Sequence, residues 1–171
     1  EEYDWLGSQV SLSNDGSIIA ISDDDGVRAN GFGRVRIYQN IDNNWAQIGN
    51  DILGEKVAYY SSRSISLSDD GSVIAIGCGN PDRDNGQVKI YKNNNSNWEQ
   101  VGSIIEGEAE VDGLGYNRSF PGGKSIDLSS DGSVIAISAL YNDGNGTDSG
   151  HVRVYQNIND TWTKIGNDID G

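Results

Sequence analysis

Among its 171 residues the chain has one cysteine, one histidine, two prolines, two phenylalanines and no methionine. A single thiol, Cys78, rules out an internal disulfide, and a single imidazole, His151, argues against a histidine-rich zinc site. No apolar run approaches the roughly 20 residues that cross a bilayer as a helix, so no membrane insertion is expected. Cations are scarce. There are 12 Lys and Arg against 26 Asp and Glu, a formal charge of −14. Phosphate binding needs clustered cations, so the balance argues against nucleic acid as a partner and against an anionic membrane surface. Mean hydropathy is −0.54 and hydrophobic residues are 35% of the chain, so any core is thin.

What is present is repetition. VSLSNDGSIIAI (10–21), ISLSDDGSVIAI (65–76) and IDLSSDGSVIAI (126–137) are three versions of one block. A second block follows each: GRVRIY (33–38), GQVKIY (86–91) and GHVRVY (150–155). A third carries tryptophan: WAQIG (45–49), WEQVG (98–102) and WTKIG (162–166). Every block reads as strand. The Ile- and Ala-rich run 17–22 suits a strand buried on both faces. Val35 and Ile37 alternate with Arg36 and Tyr38. Asn-Asp-Gly and Asp-Asp-Gly are turn chemistry, because glycine takes a positive φ cheaply and Asp or Asn binds nearby backbone. Asn43-Asn44 and Asn93-Asn94-Asn95 separate the third strand from the tryptophan strand. No segment has sustained helical periodicity.

Each copy is therefore expected to be four short antiparallel strands. One such sheet cannot bury both faces, whereas radial stacking can. The expected fold is all-β: tandem four-stranded antiparallel β-propeller blades over residues 1–54, 55–107 and 108–171. Trp45, Trp98 and Trp162 are expected on outer strands, covering the gaps between neighbouring blades.

These blocks resemble the FG-GAP-like (integrin-α-like) propeller repeats of secreted and surface proteins. The likeness lies in the Leu-Ser-x-Asp-Gly turn, the Val/Ile-Ile-Ala-Ile strand and the Gly-x-Val-x-Ile/Val-Tyr strand. Trp5-Leu6-Gly7 occupies the family's Phe-Gly place, where the other copies have Tyr60-Ser61-Ser62 and Pro121-Gly122-Gly123. The family's Gly-Ala-Pro end is replaced by Ser22-Asp23, Gly77-Cys78-Gly79 and Ser138-Ala139-Leu140. The resemblance implies blades and an extracellular or cell-surface setting. The family's calcium loop lies between the first two strands of a blade, where this chain has only the short turn, so those ligands do not carry over.

Propellers usually close with about four to eight blades, and three leave two open edges. Joining Gly171 to Glu1 would recreate the internal junctions Gly54-Glu55 and Gly107-Glu108. Three readings stand: a piece of a longer closed propeller, a chain that completes a ring with another copy, or the repeating unit of a filament.

Oxygen-rich loops follow the second strand of each copy. Asp23 and Asp25, then Asn80, Asp82 and Asp84, then Asp143, Asn145 and Asp148 are candidate Ca²⁺ ligands, since this hard cation takes six to eight oxygens. The alternative is ordinary turn-forming loops. Asp15, Asp70 and Asp131 recur identically, which suits a structural turn. His151 stands where the other copies have Arg34 and Gln87 and reads as a solvated strand position. Cys78 reads as a small, half-buried residue. The longer segment 108–121 is either a contact surface or a tolerated insertion. Asn94, Asn117, Asn145 and Asn159 open Asn-x-Ser/Thr triplets and are candidate glycosylation sites. No catalytic constellation is found. The expected function is a non-enzymatic extracellular structural or adhesive module. It would bind other copies of itself or a surface protein or glycan. The alternative is a ligand- or glycan-binding fragment of a larger cell-surface propeller.

Overall fold

Each copy folds into one sheet whose strands follow chain order. The computed structural model describes residues 6–23, 33–54, 64–79, 85–109, 112–115 and 124–171, and these contain strands, turns and no helix. The first sheet is β1 (Leu6–Leu12), β2 (Ile18–Asp23), β3 (Arg34–Ile41) and an outer strand in two segments, β4 (Asn44–Gln47) and β5 (Ile52–Leu53). The second is β6 (Ser64–Leu67), β7 (Val73–Cys78) and β8 (Gln87–Asn94), with the outer segments β9 (Asn97–Gln100) and β10 (Ile105–Glu106). The third is β11 (Ile126–Leu128), β12 (Val134–Ala139), β13 (His151–Ile158) and a continuous outer strand β14 (Thr161–Asp170). All pairings are antiparallel.

The outer strand shifts register at the same place in all copies, and in the first two the shift divides it into two segments. Tyr38 faces Gln47 while Val35 faces Ile52. Tyr91 faces Gln100 while Val88 faces Ile105. Val154 faces Ile165 while Val152 faces Ile169. The outer strand thus carries two extra residues each time, a bulge centred on Gly49, Gly102 and Gly166, all at φ +72°.

Turn chemistry fixes the rest. Ser13 and Ser17 both donate to Asp15, and the Ile18 amide donates to Ser13 Oγ at 2.9 Å. Asp70 and Asp131 repeat this arrangement with Ser68 and Ser72, and with Ser129 and Ser133. The hairpins before the tryptophan strands are two-residue turns with both residues at positive φ: Asp42-Asn43, Asn95-Ser96 and Asn159-Asp160. The first two lie one residue from the breaks expected from composition. Asn and Asp tolerate this conformation at several neighbouring positions, so pairs such as Asn40 with Trp45 select the register.

The core lies between sheets. Ala20, Val35, Ile37 and Ile52 of the first sheet meet Ile65, Leu67, Ile74 and Ile76 of the second. Ala75, Val88, Ile90 and Ile105 meet Ile126, Leu128, Ile135, Ile137 and Trp162. Of the three Ile/Ala strands only β7 is buried throughout; β2 and β12 keep partly exposed positions, because each has a sheet on one side only. Part of the segment 108–121 is wedged between the last two sheets. Leu114 is fully buried, its amide donates to Asn85 O at 3.1 Å, and the Gly115 amide donates to Ser138 O at 2.9 Å. Gly77 must be glycine here, since a Cβ would sit 1.8 Å from Gly115 O.

Candidate functional site

Two sheet-to-sheet junctions use one set of contacts, and this set defines what the outer faces lack. The tryptophan of each following sheet lies on the bulge glycine of the sheet before it. Trp98 Nε1 donates to Ile48 O and Trp162 Nε1 donates to Val101 O, both at 3.0 Å. A Cβ on Gly49 or Gly102 would meet those indoles within about 3 Å. Near the inner strands the Leu67 amide donates to Ser11 Oγ at 2.9 Å, and the Leu128 amide to Ser66 Oγ at 3.1 Å. The Asn14 amide donates to Asp69 O, and the Asp69 amide to Ser130 O, both at 2.9 Å. Ile18 packs on Gly71, and Val73 on Gly132.

Each outer face carries half of this set. On the first sheet Val10 is 61% exposed, whereas its counterparts Ile65 and Ile126 are 3% and 2% exposed. Trp45 is 49% exposed against 8% for Trp162, and among the described residues nothing accepts from its indole nitrogen. On the third sheet Ile169 is 62% exposed, while Ile52 and Ile105 are buried. Nothing approaches the space a Cβ would take on Gly166. Asp127 stands where Ser11 and Ser66 accept an amide, and it pairs instead with Lys124. The face of the first sheet thus offers a tryptophan donor and Gly16. The face of the third offers the Ile165 carbonyl, Gly166 and Val134.

The oxygen-rich loops fare differently. Asp23 is fully buried and is held by Arg34 and by Arg36 at 3.4 Å, so its carboxylate already faces two guanidinium groups. Asp143 accepts the Asp148 amide at 2.8 Å, and Asn145 donates to Gly171 O at 2.8 Å, contacts that brace the loop from within. Asp25, Asn80, Asp82, Asp84 and Asn117 lie outside the described residues. Asn94, at the end of β8, and Asn145 and Asn159, in a loop and a hairpin turn, are all exposed.

His151 corrects the sequence reading. It is 6% exposed, not solvated, because it begins β13 opposite Asp170 under the end of β14. An imidazole nitrogen of His151 and carboxylate oxygens of Asp168 and Asp170 lie within 4.8 Å of one another. His151 Nε2 is buried with no hydrogen-bond partner. Arg153 grips both oxygens of Asp168, at 3.0 and 2.7 Å, and Lys164 adds a second cation. Arg153, then Lys164, hold the Asp168 carboxyl well below the usual carboxylate range. Arg153 also pairs with Glu108 at 2.7 Å and lowers that carboxyl too. Repeat alignment hides this cluster, because Gln87 and Arg34 at the His151 position carry no such group.

Between the first two sheets lies a groove of about 210 Å³ lined by Asn50, Asp51, Leu53, Tyr91, Asn97 and Trp98.

No family model matches the chain, and no curated protein matches it. Solved structures do. A Bacteroides uniformis protein named as a candidate 6-phosphogluconolactonase is 17% identical, with TM-score 0.61 over 94% of this chain and 39% of its own. The β-propeller domain of the Trilobed protease from Pyrococcus furiosus, described as having an open velcro topology, is 10% identical. Its TM-score is 0.59 over 99% of this chain and 43% of its own. The chain therefore spans about two fifths of these neighbours' length. At such identities the likeness is one of fold, and the fold is that of β-propeller blades.

Proposed function

We propose that this chain is a non-enzymatic structural or adhesive propeller module, of the FG-GAP-like kind, that acts by associating with further blades of its own type through its two outer faces. The second copy is the occupant we favour. One observation carries the reading: the contact set seen at both internal junctions recurs, divided between the two outer faces. Trp45 of one copy would lie on Gly166 of another and donate to its Ile165 carbonyl. The Leu12 amide would donate to Asp127, and Val134 would pack on Gly16. Val10 and Ile169, exposed in one chain, would be covered. A head-to-tail contact of this kind either closes, giving six blades from two chains, or continues as a filament. The Asn-x-Ser/Thr loops support an extracellular or cell-surface setting, and Ca²⁺ bound in the loops would be an accessory. The lactonase name belongs to the Bacteroides protein alone.

The test is the mass of the particle in solution by light scattering. Wild-type protein should have the mass of two chains or more, and the double variant Val10→Asp, Trp45→Ala should be a folded monomer. A wild-type chain that remains monomeric at its highest soluble concentration would sink the reading.

The groove supports a second reading, glycan binding. Tyr91 and Trp98 offer flat apolar faces, while Asn50, Asp51 and Asn97 offer polar groups, the combination that a sugar ring requires. Glycan-array signal from the wild type that disappears in Asn97→Ala would favour it; a silent array would remove it.

A further inference from the structure

We infer that His151, Asp168 and Asp170 form a binding site for a divalent cation of the zinc type. Three observations combine. The three ligand atoms already lie within 4.8 Å of one another, close enough to converge on one ion. The imidazole is 94% buried by its 6% exposure, and its Nε2 has no partner. A buried polar nitrogen left unsatisfied is costly, and a cation bound at that nitrogen would relieve the cost. The donor set selects the cation. An imidazole nitrogen with carboxylate oxygens suits zinc and its neighbours in the transition series, whereas calcium takes oxygen alone.

The surrounding charge is compatible. Asp168, Asp170 and Glu108 contribute three negative charges, and Arg153 and Lys164 contribute two positive ones. One negative charge remains beside the imidazole. Arg153 fixes the orientation of Asp168 from the outer shell; Oδ1 is taken by Arg153 Nε and Lys164 Nζ, and Oδ2, with one donor, retains a lone pair for an ion. Three protein ligands leave at least one position for water. Because His151 pairs with Asp170 across the ladder, the ion would pin the end of β14 to the start of β13, next to the exposed Ile169.

The experiment uses the chelator-treated 171-residue chain titrated with zinc chloride by calorimetry, with thermal unfolding in parallel. The chain has one histidine and one cysteine, so the assignment is clean. Wild type should bind one equivalent and melt higher with zinc. His151→Gln installs the residue that the second sheet carries at this register, Gln87, so the variant should fold. Loss of an outer-shell partner already costs about 10–100-fold in affinity, so loss of this ligand should weaken binding by at least about tenfold. Asp170→Asn should also weaken it, and Cys78→Ser should leave it unchanged. Excess calcium should not displace the zinc. No binding by the wild type, equal affinity in His151→Gln, or loss of binding in Cys78→Ser would each overturn the inference.

Discussion

Three of the four tryptophans, Trp45, Trp98 and Trp162, hold one repeat position in different environments. Trp162 is 8% exposed and donates to Val101 O, and Trp98 makes the same bond to Ile48 O. Trp45 holds the same repeat position but has no described sheet packed on its indole, and half of it faces solvent. Truncating a buried tryptophan removes its transfer free energy and leaves a cavity, so Trp162→Ala should destabilise the chain by about 3–5 kcal/mol. Trp45→Ala should cost less than about 1 kcal/mol in the single chain, where little packing is lost. Urea denaturation of both variants at low protein concentration checks the pair. Equal costs would mean that Trp45 is covered.

At the level of the element, the Ser-x-Asp-Gly-Ser turn governs how stability responds to acid. The Ser133 amide and hydroxyl, with Ser129, hold the Asp131 carboxyl at about 2. The Ser17 amide and hydroxyl, with Ser13, lower Asp15 likewise. Burial pushes Asp70 up, and the Ser72 amide with the Ser68 and Ser72 hydroxyls more than offsets it. Carboxyls that are lower in the folded state than in the unfolded chain stabilise when ionised. Their contribution is complete above the ordinary value of 3.8 and is lost as pH falls toward about 2. The urea midpoint should therefore be flat above about pH 5 and fall below it. Asp131→Asn should lower the plateau and make the acid decline shallower. A midpoint independent of pH down to 2 would contradict the turn's electrostatic role. The same elements were legible in advance, since Asp-Gly and the alternating Val-x-Ile pattern each specify local backbone. The two-residue bulge at Gly49, Gly102 and Gly166 was not legible, because a glycine in a strand sequence does not say how many residues leave the ladder.

For the whole molecule, the decisive quantity is the difference in burial between equivalent positions. Val10 against Ile65, and Ile169 against Ile105, are apolar residues of the same kind with opposite exposure. Apolar area removed from water stabilises by about 25 cal/mol per Å², so two such faces favour each other over solvent. The proposed assembly therefore has a recognisable signature in the light-scattering measurement. A closed pair gives one mass at all concentrations above its dissociation constant, whereas a filament grows with concentration.

The sequence by itself determined the repeat, the all-β class, the four strands of each copy and the turns that join them. These are short-range properties, written in the alternation of apolar residues and in Asp, Asn and Gly at fixed places. Only the tertiary structure decided which copies of a repeated residue are covered. It buried His151 beside Asp168 and Asp170, although its repeat position suggested solvent, and it set Asp23 against Arg34 and Arg36. The reason is physical: burial and charge pairing depend on what the neighbouring sheet or strand presents, and a repeat assigns the same local pattern to a middle sheet and to an end one.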